Sequence, residues 1–202
     1  MLKWIDDPEE VTTVSVGLGP DPDELLITAL TGLVHGTLLR TEDGWVAVED
    51  IYVGDKVLTF DNGMQTVVDV QRERSDGAWH HATARPVFVP EGALDNDAEI
   101  WLMPDQGVLW ETAEEEAADP FVVLPANCLS KRRGISRRMP DRFDGVTTLT
   151  FANDEVVQVQ GGAWLHCPHP RPVFDFNGSE QETYRRLRGA EAKALLDAQR
   201  MN

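Results

Sequence analysis

The densest group of chemically capable side chains lies near the C-terminal end, where His166, Cys167 and His169 crowd into HCPHP; Cys128 is available elsewhere. Thiolate and imidazole are the usual ligands of zinc, so this group raises the question of a metal site. Neighbours on an extended chain point to opposite sides, however, so His166 and Cys167 converge poorly, and the spacing matches no standard zinc pattern. The plainer reading is a proline-rich turn with incidental polar residues, and neither metal nor cofactor is expected. His80 and His81 read as exposed. Trp101, Trp110 and Trp164 sit in strand-like contexts and read as core rather than as a binding platform. The chain carries no phosphate-binding glycine loop, no Ser-His-Asp signature and no zinc-finger spacing.

The elements that must position such groups are short and β-like. From Gly36 onward GTLLRT, WVAVEDI, KVLTF and MQTVVDV carry alternating or β-branched apolar residues. Asp43-Gly44 and Asn62-Gly63 fall between them and favour tight hairpin turns. ARPVFVP, EIWLMP, GVLW, FVVLP, VTTLTF and EVVQVQ are further candidate strands. Many short strands with few helical patterns predict an all-β domain. Residues 1–31 read as a leader, with Asp21 capping a short helix that has Pro22 in its first turn. SEQETYRRLRGAEAKALLDAQ reads as a C-terminal helix, with Ser179 and Glu182 as a capping box. Tyr184, Leu187, Glu191, Leu195 and Ala198 are placed near one face of it.

The segment from Gly36 to Val70 resembles the hedgehog/intein (Hint) domain family, in its bacterial stand-alone type. Gly36-Thr37, Thr41, Gly44, Val48-Glu49, Ile51, Gly54-Asp55, Val57, Thr59, Asp61 and Gly63 fall on the family's motif without a gap. Looser similarity continues through PVFVPEGALDND, EIWLMPDQGVLW, VLPANCL and LTFANDEVVQVQGG. The resemblance implies a Hint fold of short curved strands over residues 32–165, preceded by the leader and followed by a C-terminal extension, 166–202, bearing the helix.

The resemblance also implies a chemistry, an acyl shift. A Cys or Ser attacks the carbonyl just before it, while a Thr and a His polarise that carbonyl and protonate the leaving nitrogen. In this sequence the nucleophile's position is Gly32, four residues before Gly36. The Thr and His positions fall on Met103 and Gln106, and a late His on Asp154. None of these supplies the required group, so a degenerate domain without autoproteolysis is expected. Thr31 and His35 flank Gly32 and are the outside candidates for an unconventional self-processing reaction.

With 35 acidic and 18 basic residues the net charge is -17, which disfavours nucleic acid and anionic membranes as partners. Hydrophobic residues at 42% and charged residues at 26% are the balance of a globular chain. ETAEEEAAD (111–119) and KRRGISRRMPDR (131–142) are opposite charge runs, read first as solvated loops that partly neutralise each other. Two cysteines make no disulfide framework. The N-terminus lacks the pattern of a secretory signal, and the run Leu25 to Val34 is far shorter than the roughly 20 residues of a membrane helix. These features predict a soluble protein, cytoplasmic or exported by another route. The leading expectation is a non-cleaving module that binds another protein; self-processing near residue 32 and metal binding are the alternatives. Oligomeric state stays open.

Overall fold

The computed structural model describes residues 30–75, 85–112, 120–170 and 183–199. The helix expected from Asp21, the pair His80-His81, residues 113–119 of the acidic run, and the Ser179–Glu182 capping box lie outside the described residues. Among the described residues no helix is long and apolar enough to cross a membrane.

The alternating runs form strands and the domain is all-β. In chain order these are β1 (Leu33–Val34), β2 (Leu38–Thr41), β3 (Gly44–Ala47), β4 (Lys56–Thr59), β5 (Gly63–Thr66), β6 (Asp69–Arg74), β7 (Val87–Val89) and β8 (Ile100–Leu102). There follow β9 (Gly107–Glu111), β10 (Phe121–Pro125), β11 (Ser136–Arg137), β12 (Gly145–Thr150), β13 (Glu155–Gln158) and β14 (Trp164–Cys167). One sheet runs β11-β7-β8-β1-β12-β6; the other runs β10-β9-β14-β13-β4-β2-β3, with β5 paired to β4. A core of Leu39, Ile51, Val57, Leu102, Leu124, Leu149, Phe151 and Leu165 fills the interior with contributions from both sheets.

Two expected strands are broken. WVAVEDI ends its pairing at Ala47 and closes into a 3-10 turn at Val48–Asp50. MQTVVDV divides between β5 and β6, because Val67 N–H turns aside to Asp55 O at 2.9 Å and Val68 N–H to Thr150 O at 2.8 Å. The hairpins use the expected dipeptides with a shift in role. Thr41 pairs with Gly44 and Thr59 with Gly63, so each glycine opens the returning strand. In both, the threonine hydroxyl donates to that glycine's carbonyl, at 2.9 and 3.0 Å, closing the loop from the side.

The C-terminal helix is shorter than its sequence pattern. It spans α1, Gly189–Ala198. Residues 183–188 are extended instead, because tertiary hydrogen bonds satisfy their backbone: Val123 N–H donates to Arg185 O at 2.9 Å and Leu187 N–H to Val123 O at 3.0 Å. The segment thereby lies parallel against β10 at Val123 and Arg186, shielding an exposed sheet edge. The buried stripe of α1 is Ala192 and Leu196, while Glu191 and Ala198 face outward. Arg132 bonds the helix end through Leu196 O at 2.8 Å and Asp197 Oδ1 at 2.7 Å.

Phe151 is 1% exposed and its ring fills the common core. Phe151→Ala is expected to cost about 3–5 kcal/mol in urea unfolding, from lost burial and the cavity left behind. Val53→Ala, at a side chain 61% exposed, is expected to change stability by no more than about 0.5 kcal/mol.

Candidate functional site

β1 lies between β8 and β12 in the first sheet, and the residue before it is Gly32. Gly32 is buried with φ at +110°, a backbone state in which glycine is at ease and other residues are strained. A Cβ placed on it would meet Thr148 Oγ1 at 3.3 Å and Val146 Cβ at 3.5 Å. Its N–H donates to Gln106 Oε1 at 3.1 Å, a buried contact between residues 74 positions apart. The chain just before it is held as well, since Asp105 N–H donates to Leu30 O at 2.7 Å.

Gln106 sits in the turn between β8 and β9 and is 2% exposed. Its amide is in full use. Nε2 donates to His166 O at 2.8 Å and to Gly107 O at 3.1 Å, while Oε1 accepts from Gly32. The packing around it is close: a Cβ on Gly107 would approach Val123 Cγ1 to 2.6 Å and His166 Cβ to 2.8 Å, so this position accepts only glycine. Met103, in the same turn, is fully buried with Val34 and Val146, with Trp101 and Phe143 against them. A thioether in an apolar cluster supplies neither a strong donor nor a proton.

Asp154 lies at the head of β13, buried, and Oδ1 accepts from His169 N–H at 2.7 Å. It belongs to a polar cluster that includes Tyr184, Asp61, Asn62 and Glu155. The Tyr184 hydroxyl donates to Asp61 Oδ2. Asn62 Nδ2 donates to the Glu155 carboxylate at 3.1 and 3.2 Å. The Tyr184 ring meets that of His166 edge to face at 5.8 Å. Gln106 thus contacts Gly32 directly, whereas Asp154 bonds to His169 N–H and acts on Tyr184 through its charge. Thr31 is exposed at the surface. His35 is half-buried on the β12 side, with Nε2 3.2 Å from Thr147 Oγ1.

The four thiol and imidazole residues separate. His166 and Cys167 are consecutive on β14 and project to opposite faces. His169 Nδ1 donates to Phe151 O at 2.9 Å. Cys128 sits half-buried in the 3-10 turn Ala126–Leu129 that follows β10. Among the described residues no group of three or more His, Cys, Asp or Glu side chains is arranged to hold a metal ion.

Sequence reading reached Gly32 and Gln106 through the motif and its register. It missed Tyr184, which it placed on a helix, and took His166 only for a metal candidate. The available signal was weak: Asp61, Asn62 and Glu155 are polar residues inside otherwise apolar strand patterns, and such residues need a partner if buried.

Two groups in this region titrate far from their ordinary ranges. Burial and the neighbouring Glu155 charge push the Cys167 thiol up to about 12. Burial, the bond to Asp61, and the charges of Asp61, Glu155 and Asp154 push the Tyr184 phenol up. Both folded values exceed the unfolded ones, so each group's stabilisation is complete below its unfolded value and is lost as pH rises toward the folded one. Stability is therefore expected to fall above about pH 9, by about 1.4 kcal/mol per pH unit for each group in play. Urea midpoints measured from neutral pH to about pH 11 check this. Cys167→Ala delays the onset toward the tyrosine range, and Tyr184→Phe removes the upper part of the fall.

A family model described as the Hint domain matches residues 31–165. No curated protein sequence matches the chain. Among solved structures the chain is similar to a bacterial intein-like domain from Clostridium thermocellum, at 16% identity and a TM-score of 0.46, covering 68% of this chain and 99% of that one. It is similar to a splice-inactive variant of the AceL NrdHF class 3 split intein, at 13% identity and a TM-score of 0.44, covering 69% and 99%. It is also similar to the MchDnaB-1 intein, at 17% identity and a TM-score of 0.42, covering 66% and 98%.

Proposed function

This chain belongs to the Hint-domain family, and we propose that it is a degenerate member that leaves its own backbone intact and works by binding another protein. The observation that carries the reading is the bond from Gly32 N–H to Gln106 Oε1. Where the resemblance places a nucleophile there is a residue with no side chain. Where it places an acid there is a carboxamide, which neither gives nor takes a proton near neutral pH.

Three further features support it. Met103 buries its side chain where a polarising hydroxyl would belong. Asp154 is engaged with His169 N–H. The positive φ of Gly32 resists any residue with a Cβ. An acyl shift splits a difficult amide cleavage into easier steps only if a nucleophile attacks and an acid protonates the leaving nitrogen. Neither role is filled at its expected position. A binding role follows by elimination together with charge: nucleic acid and anionic membranes are poor partners for a chain at -17.

The self-processing alternative draws on the His35–Thr147 pair, a base beside a hydroxyl at 3.2 Å. Thr147 is fully buried and stands opposite Leu33 in the β1–β12 ladder, one residue beyond Gly32. A misplacement of even about 1 Å can cost roughly 100-fold in rate.

Intact-mass measurement separates the two. The purified chain is expected to release no fragment ending near residue 31 on incubation with thiol or hydroxylamine, reagents that release thioesters and esters; the separate attack of hydroxylamine on Asn-Gly bonds would fall at Asn62-Gly63 and Asn177-Gly178 and give different masses. Gly32→Cys alone is expected to stay whole and to lose about 1–3 kcal/mol of stability through backbone strain. Gly32→Cys with Met103→Thr and Gln106→His is the smallest set expected to have any chance of cleavage. A wild-type chain that sheds residues 1–31 sinks the proposal and directs attention to Thr31 and His35. Stoichiometric zinc in elemental analysis would favour the metal-binding alternative instead.

A further inference from the structure

The chain's positive charge is gathered rather than scattered. Residues 131–142 hold six Lys and Arg, and residues 185–188 hold three more, together nine of the chain's 18. The fold brings both stretches beside the 3-10 turn Ala126–Leu129. Arg132 reaches α1 from one of them, and Arg186 crosses Val123 in the other. Beside that turn lies a groove of about 280 Å³, bordered by residues 186–188 of the second stretch and by none of residues 131–142. Val123, Pro125 and Leu187 supply apolar lining, and Arg186, Arg188 and Cys128 are among the side chains that border it. Burial and the Asp105 charge push the Cys128 thiol up, and the charges of Arg132 and Arg137 reach it from the other side and act against that rise.

The start of the described chain lies at this groove. Leu30 O is bonded to Asp105 N–H at 2.7 Å, and Asp105 lines the groove. Residues 1–29, which lead into Leu30, carry seven acidic side chains against the single Lys3. Three of the seven, Asp21, Asp23 and Glu24, stand six to nine residues before Leu30. That length of chain reaches at most roughly 20–30 Å when extended, enough to return along the groove. Being tethered, the segment meets the groove at an effective concentration in the millimolar range, so a weak electrostatic affinity suffices.

We propose that this basic groove is a docking surface for an acidic stretch of polypeptide, and that the chain's own residues 1–29 are its occupant. The proposal rests on the non-cleaving reading to the extent that the segment must remain attached. It assigns to that segment a contact, where a processing reaction would have removed it.

Cys128 provides a built-in reporter, because the chain's other thiol, Cys167, is fully buried. In the full-length chain Pro22→Cys places a thiol between Asp21 and Asp23 without changing charge. Under an oxidised-glutathione buffer at low ionic strength, an intramolecular disulfide to Cys128 is expected. The double variant Arg186→Glu, Arg188→Glu in the same background is expected to lower its yield severalfold, as is about 1 M salt, where screening acts beyond about 3 Å. Arg142→Glu, on the same basic stretch but outside the groove lining, is expected to leave the yield unchanged. Circular dichroism confirms that each variant is folded. Absence of the disulfide, or a yield indifferent to both charge reversal and salt, overturns the proposal. Disulfide-linked dimers in place of the intramolecular bond overturn it as well, by making a second copy's segment the occupant. Intact mass on the same samples shows whether residues 1–29 are still attached, so loss of the non-cleaving reading and loss of this inference give different results.

Discussion

The structure turns on the Gln106 carboxamide. An amide taken out of water without partners costs several kcal/mol, and this one is 2% exposed. It is tolerated because its three hydrogen bonds reach three different places: Gly32 ahead of β1, Gly107 in β9, and His166 in β14. β1 belongs to one sheet, and β9 and β14 to the other. The side chain therefore fixes the relative placement of the two sheets where the chain enters the domain. Its backbone adds to this, since Ala126 N–H donates to Gln106 O at 2.9 Å and holds the turn after β10 to the same point. Loss of any one partner would leave a buried polar group unsatisfied, and that penalty exceeds the modest net value of the bond itself.

A residue that satisfies geometry so fully is poorly suited to move protons. General acid catalysis needs a group whose pKa lies near the working pH and which holds its proton in one state and releases it in another. A carboxamide has one state, and its donors here are committed to carbonyl oxygens. The same saturation recurs nearby. The Asp154 carboxylate accepts from a backbone N–H, and the Glu155 carboxylate takes both of its contacts from Asn62. The cluster beneath Gly32 thus reads as structural polar packing, high in cost if broken.

Much of the fold was legible because period-two alternation and the turn dipeptides Asp43-Gly44 and Asn62-Gly63 are local signals. Leu39, Val57 and Val157 are buried where the alternation puts them, and four runs in the Gly36–Val70 segment hold the first five strands after β1, the last run dividing into β5 and β6. What was not legible depended on distant partners. TYRRLR has respectable helix propensity, yet it is extended because β10 offers an edge and Asp61 accepts the Tyr184 hydroxyl. Propensity is worth a few tenths of a kcal/mol per residue, and a ladder bond with a buried aromatic outweighs it. At the site, Gly32 and Gln106 were legible through register. The hand-off from Gln106 through His166 to Tyr184 was not, because no spacing in the sequence records that residues 106, 166 and 184 meet.

On the degenerate reading proposed above, Gly32, Met103 and Gln106 also bear on which way the site would have changed. Working active sites commonly hold strain and unsatisfied groups, and both cost stability. Here Met103 fills apolar space completely and Gln106 has its hydrogen bonds in place, so on that reading these two positions would have exchanged reactivity for packing. Gly32 does not fit that account, because its positive φ persists where an ordinary extended residue would start a strand more cheaply. The conformation is set from outside the residue. Leu30 O is held by Asp105 on one side, and Leu33 pairs with both Thr147 and Leu102 on the other, so the chain must turn within two residues to satisfy both. The bend belongs to the scaffold, and glycine is the residue that meets it with least strain. A nucleophilic side chain at this position would therefore need more than its own substitution: the backbone on both sides would have to yield first.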